Sequence, residues 1–154
     1  MSVGGSRGRF QQRSAGAWWG VQRTKLQFER GLDSQYPRAR GTTRRAFYEY
    51  QVTVPVACYD PRRLRIEVYG RDEPTLARVF ADGPVESKHR FSGGSLCMWE
   101  PEDGEESRWQ PRDGLVRLID MAILHLFREA WWRETGCWPG PEAPHREKKE
   151  ARPT

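Results

Sequence analysis

A histidine and a cysteine stand eight residues apart in the segment His-Arg-Phe-Ser-Gly-Gly-Ser-Leu-Cys-Met-Trp, over 89–99. The Ser-Gly-Gly sequence between them permits a tight reversal with positive φ. Apolar residues on both sides of Cys97 can hold the segment against a core. A thiol fixed on a loop after a turn suits a nucleophile or an acyl carrier. The carrier's thiolate takes an acyl group from a thioester and passes it to an amine or another thiol.

Acidic residues follow Cys97 closely in the chain. They are Glu100, Glu102, Asp103, Glu105 and Glu106. If these carboxylates lie near the sulfur, they raise the pKa of the thiol above the value of about 8.5 for a free cysteine. They can also attract an incoming lysine and accept its proton. The alternative interpretation is a solvated acidic loop.

The histidines have different predicted roles. His89 is expected to orient the loop through a hydrogen bond from its side chain to the backbone, rather than to transfer a proton. His145 lies on a proline-rich tail over 138–145. This tail can fold back and supply a general base, or a donor to the acyl oxygen, at Cys97; an ordinary exposed terminal histidine is the alternative. His125 is expected at the edge of the core, within a helix.

The remaining cysteines give no sign of a disulfide framework or a metal site. The chain has three cysteines and three histidines, with no Cys-x-x-Cys and no zinc-like spacing. Cys58 and Cys137 are predicted to be structural thiols. No cofactor and no metal are expected. The longest apolar stretch, over 115–132, is interrupted by charged residues, so we expect a cytoplasmic protein with no membrane partner.

The length and charge indicate one domain with a basic arm. The chain has 154 residues and a net charge of +5, and its arginines concentrate in the first 45 residues. We predict a disordered basic arm over 1–17, a single domain over 18–145 and a charged flexible tail over 146–154. A nucleic-acid-binding domain that uses the arm is a less favoured alternative, because the centre of the chain is acidic.

Hydrophobic periodicity predicts an α+β domain that positions the cysteine loop. Apolar spacing indicates a first helix ended by Pro37, then strands with turns between them, and a long helix lying across the sheet. Pro55 indicates a sheet edge or a strand end. Asp113 is a plausible N-cap and Gly136 a C-terminal stop. The predicted elements are a helix over 18–36, a basic connector over 38–45, three antiparallel strands over 47–57, 64–69 and 76–80, turns over 60–63, 70–74 and 82–84, a loop over 85–100 and a helix over 115–132.

This order of elements and the spacing of His89 and Cys97 resemble a ubiquitin-conjugating enzyme. That family has a first amphipathic helix, a meander, a His-Pro-Asn motif and a cysteine that follows the motif histidine by the same eight-residue interval found here. A long helix packs behind the cysteine. The resemblance implies a UBC-like fold with Cys97 as the active-site cysteine and His89 as the motif histidine.

Bacterial members of this superfamily are more similar still, through the Glu-Ala-Trp-Trp end of the helix at 129–132, Trp-Pro-Gly at 138–140 and His145. Some of these members belong to CBASS-type antiphage defence. The resemblance implies a thioester-forming transferase whose partner is a cGAS-like nucleotidyltransferase or a ubiquitin-like protein. Two departures are that Arg90-Phe91 replaces the family's Pro-Asn, and that the later helices of eukaryotic members are missing. A catalytically inactive UBC-fold binding module is the main alternative.

Overall fold

The computed structural model describes residues 22–69, 77–100, 103–104 and 106–141. The elements in chain order are α1 (Gln22–Gln35), β1 (Arg40–Thr43), β2 (Phe47–Val56), β3 (Tyr59–Tyr69), β4 (Ala77–Ala81), a 3-10 turn (Pro111–Asp113) and α2 (Gly114–Thr135). The α+β class is therefore confirmed. The predicted arm over 1–17, the turn over 70–74 and the tail over 146–154 lie outside the described residues, and the domain boundaries stay predictions.

The strands form one antiparallel sheet in the order β1-β2-β3-β4. Alternate residues of a strand point to opposite faces of the sheet. In β2, from Tyr50 to Val56, the residues that point into the core are apolar and buried. The register places Tyr50 opposite Ile66 and Val52 opposite Leu64. Ile66 lies opposite Val79 on the other side of β3. These side chains supply the sheet half of the core.

The predicted basic connector over 38–45 contains a strand that the sequence did not predict. All four residues of β1 are exposed, so no alternation of apolar and polar residues marks them. Backbone pairing with β2 holds this strand, from Arg40 opposite Gln51 to Thr43 opposite Tyr48. The meander therefore has four strands rather than three.

The predicted turn over 60–63 is wrong. The chain reverses earlier, and Cys58 adopts a φ of 66° there. Pro61 fits within β3 because the ladder is irregular where Val54 faces Arg62 and Val56 faces Tyr59. Pro55 lies at the same irregularity, one residue before the end of β2, which agrees with the strand-end interpretation.

Helix α2 lies against the sheet with one apolar face. Its buried apolar residues are Leu115, Leu118, Ile119, Ala122 and Leu126. The helix continues past the predicted end at residue 132 and stops at Gly136, the predicted C-terminal stop, which takes the left-handed conformation at φ 79° and donates its N–H to the carbonyl of Trp132. Asp113 holds the N-cap position, but its carboxylate accepts the N–H of Gln110 instead of capping α2.

Helix α1 lies within the predicted span and joins the same core. Leu32 is buried, and the hydroxyl of Tyr50 on β2 donates to the carboxylate of Glu29 at 2.9 Å. Within the described residues, neither helix is long and apolar enough to cross a bilayer.

Candidate functional site

Residues 89–97 form a short hairpin, called here the Cys97 hairpin. Its base is closed by the N–H of Cys97, which donates to the carbonyl of His89 at 3.0 Å. Arg90 and Leu96 form a β-bridge between its arms. Leu96 also donates its N–H to the carbonyl of Val79 at 2.8 Å, which attaches the hairpin to the outer edge of β4. The cysteine is therefore held by the sheet.

The turn of the hairpin uses glycine as the sequence predicts. Phe91 donates its N–H to Ser95 at 3.0 Å, and Gly94 donates back to the carbonyl of Phe91 at 2.8 Å. Gly94 has a φ of 90°, which side-chain-bearing residues rarely adopt. The reversal brings the two arms together and leaves Phe91 exposed at the tip.

The Cys97 thiol is half-buried and faces carboxylates. Its Sγ lies 3.5 Å from Oε1 of Glu100 and 3.9 Å from the carbonyl oxygen of Trp99. The backbone N–H of Glu100 donates to the carboxylate of Asp103 at 2.8 Å. This bond holds the Asp103 carboxylate near that of Glu100. The pKa of Cys97 is raised to about 12. Burial is the largest cause, followed by the charge and hydrogen bond of Glu100 and by the charge of Asp103.

This pKa keeps the thiol protonated at neutral pH. The S–H donates to Glu100, so the same carboxylate can receive the proton when the sulfur attacks a carbonyl. An acyl group on this sulfur would place its carbonyl carbon, which an incoming amine attacks, close to the carboxylate of Glu100. The arrangement suits a carrier that resists random acylation and accepts a cationic amine.

His89 is the first residue of the hairpin and is buried. Its ring packs edge-on against Trp138, with 4.4 Å between ring centroids. Trp138 follows α2 and is the first residue of the proline-rich tail, so the described start of the tail contacts His89. A histidine-to-backbone contact is also present here, but the imidazole is that of His125, whose Nε2 lies 3.1 Å from the carbonyl oxygen of His89. His145 lies outside the described residues, so its approach to Cys97 stays a prediction.

The other two cysteines are free and exposed. Cys58 lies at the β2–β3 turn and Cys137 lies just after α2. Neither is buried in the core, so packing gives no support to a structural role. Among the residues the structure describes, no three His, Cys, Asp or Glu side chains are grouped to hold a metal ion.

A buried ion pair that the sequence did not predict lies under the hairpin. Arg90 forms a bidentate pair with Glu129 of α2, with Nε–Oε1 at 2.5 Å and Nη2–Oε2 at 2.8 Å. The two side chains are only 6% and 0% exposed. Burial alone would raise the pKa of Glu129, but Arg90 and His125 outweigh it and lower the pKa to about 2. One feature of the sequence pointed to this pair: Glu129 is a charged residue on the apolar face of the predicted helix, four positions after His125.

Comparison with known proteins gives one family. No curated protein and no solved structure is significantly similar to the chain. The family described as "Type II CBASS E2 protein" matches residues 20–146, a span that includes the sheet, both helices and the Cys97 hairpin. The chain therefore belongs to the type II CBASS E2 family, the E2-like proteins of CBASS antiphage systems.

Proposed function

We propose that this chain is a cysteine acyl carrier of the ubiquitin-conjugating type, with Cys97 as the thioester-forming residue. The observation that carries the proposal is the Cys97 hairpin itself. It holds a half-buried thiol 3.5 Å from a carboxylate, within the span that matches an E2 family. The helix, meander, loop and helix order supports a UBC-like fold, and free thiols suit the cytoplasm.

In the loading step, the sulfur of Cys97 attacks the carbonyl of a thioester that joins the C-terminus of a cargo protein to a thiol of a donor protein. A new C–S bond to Cys97 forms as the old C–S bond breaks, and the donor's thiol leaves. Because the Cys97 pKa is about 12, the attacking thiolate must be produced during the reaction. Glu100 is the nearest carboxylate and receives the thiol proton, which passes on to the leaving sulfur.

In the transfer step, an amine attacks the acyl carbon on Cys97. Glu100 and Asp103 favour the approach of a protonated amine, and Glu100 takes one proton from it, because only the neutral amine has a lone pair for the attack. The C–N bond then forms as the C–S bond breaks, and the second proton of the amine passes to the departing sulfur of Cys97. Loss of the acyl group restores the protonated thiol.

We further propose that a cGAS-like nucleotidyltransferase supplies the acyl group or receives it. Membership in a CBASS family implies interaction with other components of the same system, which supports this choice of partner. His89 keeps a structural role in this proposal, because its ring is buried against Trp138 rather than directed at an open site. His145 is a candidate second base or oxyanion donor.

The partner is tested by co-expressing a Cys97→Ser variant with the other proteins of its CBASS system, the nucleotidyltransferase among them. A serine oxyester is more stable than a thioester, so we expect a covalent adduct whose added mass identifies the cargo. Hydroxylamine should remove the adduct. A Cys137→Ser variant, which keeps Cys97, is the matched control, and any cargo that it carries should be a thioester that dithiothreitol removes. The proposal fails if Cys97→Ser yields no adduct while all of these proteins are present and soluble.

The second candidate function is an inactive binding module of the same fold. The raised pKa of Cys97 favours it, because a protonated and half-buried thiol is a poor nucleophile at rest. It predicts that Cys97→Ser leaves phage resistance unchanged in cells that carry the whole system. The carrier function predicts that resistance is lost.

A further inference from the structure

We propose that Arg90 and Glu129 position the acylated Cys97, by clamping the Cys97 hairpin to helix α2 during transfer. This inference rests on the proposed carrier function for its kinetic consequence. One of the two residues, Arg90, stands where ubiquitin-conjugating enzymes have the proline of their His-Pro-Asn motif.

Arg90 ties three parts of the molecule together. Its Nε and Nη2 hold Glu129 on α2, and its Nη1 donates to the carbonyl of Gly94 at the tip of the hairpin at 2.7 Å. Its Nη2 also reaches the carbonyl of Pro84 at 3.4 Å, in the segment that leaves β4. The guanidinium therefore fixes the tip of the hairpin relative to the helix.

Glu129 also holds the base of the hairpin through a second side chain. Nε2 of His125 lies 3.2 Å from Oε1 of Glu129 and 3.1 Å from the carbonyl oxygen of His89. Both neighbours are acceptors, so this nitrogen carries the hydrogen. The same His89 carbonyl accepts the N–H of Cys97. The buried carboxylate of Glu129 is thus connected to the tip of the hairpin through Arg90, and to the base of the hairpin, where Cys97 lies, through His125.

Arg90 acts through position rather than by contact with the acyl group. Its side chain is 6% exposed. Four of its five N–H donors face Glu129, Gly94 and Pro84. The guanidinium is therefore not directed at an acyl oxygen. What it can change is where the sulfur and the attached carbonyl lie relative to Glu100.

Stability alone does not account for such a pair. A buried ion pair loses hydration, and replacing both partners by apolar residues of similar volume is often neutral or stabilising. Breaking only one side leaves a buried charge and is costly. A double replacement therefore separates the two roles, because it can preserve the fold while it removes the bonds to the hairpin.

The test compares Arg90→Met/Glu129→Leu with a control double variant, Arg44→Met/Glu49→Leu, which removes an ion pair in the β1–β2 region. All variants carry Cys58→Ser and Cys137→Ser, so that Cys97 is the sole thiol. We measure the rate of acyl transfer from pre-loaded Cys97 to an amine, and the rate of Cys97 alkylation by iodoacetamide at pH 8. Thermal unfolding reports the fold.

The hairpin variant should stay folded and transfer its acyl group at least about tenfold more slowly, since small misplacements of reacting groups reduce rates by about a hundredfold. Its alkylation should become several-fold faster, because a released hairpin exposes the thiol. The control should match wild type in both rates. A folded hairpin variant with both rates within twofold of wild type overturns the proposal.

The test also gives a result if wild type does not load an acyl group or if the double variant does not fold. If wild type never loads an acyl group, the carrier function fails, and the alkylation rate alone judges the clamp. If the double variant does not fold, Arg90→Lys takes its place, since lysine keeps the charge but not the bidentate geometry. It should show the same two changes in smaller measure, and unchanged rates in a folded Arg90→Lys variant would reject the clamp.

Discussion

Replacing Glu100 by glutamine should make the resting thiol more reactive while it slows acyl transfer. Burial is the first cause of the high pKa of Cys97 and remains in the variant, but the charge of Glu100 is the second and is removed. At 3.5 Å, two unit charges repel by about 1 kcal/mol in water and about 5 kcal/mol at an effective dielectric constant of 20. The Cys97 side chain is only half-buried, so the lower part of this energy range applies.

Removing about 1.4 kcal/mol of repulsion between the Cys97 thiolate and Glu100 lowers the pKa of Cys97 by about one unit and raises the thiolate fraction at pH 8 about tenfold. A thiolate whose pKa is one unit lower is also a weaker nucleophile, by about threefold. The alkylation rate of Cys97 should therefore rise about threefold. Transfer from acylated Cys97 to an amine should fall at least about tenfold, because the carboxylate base is gone.

The assay uses iodoacetamide at pH 7 to 9 with Cys58 and Cys137 replaced by serine. Glu106→Gln is the matched control, because Glu106 is an exposed carboxylate in the same acidic run. It should leave both rates unchanged. Equal or slower alkylation of Glu100→Gln would refute the electrostatic reasoning and leave burial as the whole cause.

Three more changes test the structure around the site. Burial opposes ionisation of Glu129, but Arg90 and His125 lower its pKa to about 2, so its stabilisation is present above about pH 4.5 and is lost as pH falls toward 2. The melting-temperature gap between wild type and Glu129→Gln should therefore narrow over that range in thermal scans. Gly136→Ala places a side chain at φ 79° and should lower the unfolding free energy by about 1 kcal/mol in urea titrations, with Cys97 alkylation unchanged. Trp138→Ala removes the ring that packs against His89 and His125 and should lower the free energy of unfolding by about 2 kcal/mol. A melting temperature equal to that of wild type would show that Trp138 does not support the hairpin.

Local patterns sufficed for the parts of the fold that local chemistry controls. The alternation in β2 and the apolar face of α2 predicted both elements, since burial of one face requires that periodicity. Gly94 and Gly136 marked a turn and a helix end, because each needs a positive φ. A separation of three residues allowed Glu100 to approach Cys97, but the sequence also allowed a solvated acidic loop, and the 3.5 Å contact is a finding of the structure.

Pairings distant in sequence could not be predicted in this way. Strand β1 has four exposed residues and exists through its bonds to β2. The turn at Cys58 carries no Asn-Gly or Asp-Gly signal, and Asp-Pro two residues later indicated a turn that the register of β3 overrides. Arg90 and Glu129 are 39 residues apart, and only tertiary packing brings them together.

The central claim is that Cys97 carries an acyl group as a thioester. The most direct measurement is the intact mass of the wild-type protein, isolated from cells that contain the complete defence system and quenched in acid without reductant. The carrier function predicts an added mass that dithiothreitol removes and that peptide mapping places on Cys97. An unmodified Cys97 in the presence of every companion protein, or the same adduct on Cys58 or Cys137, would contradict it.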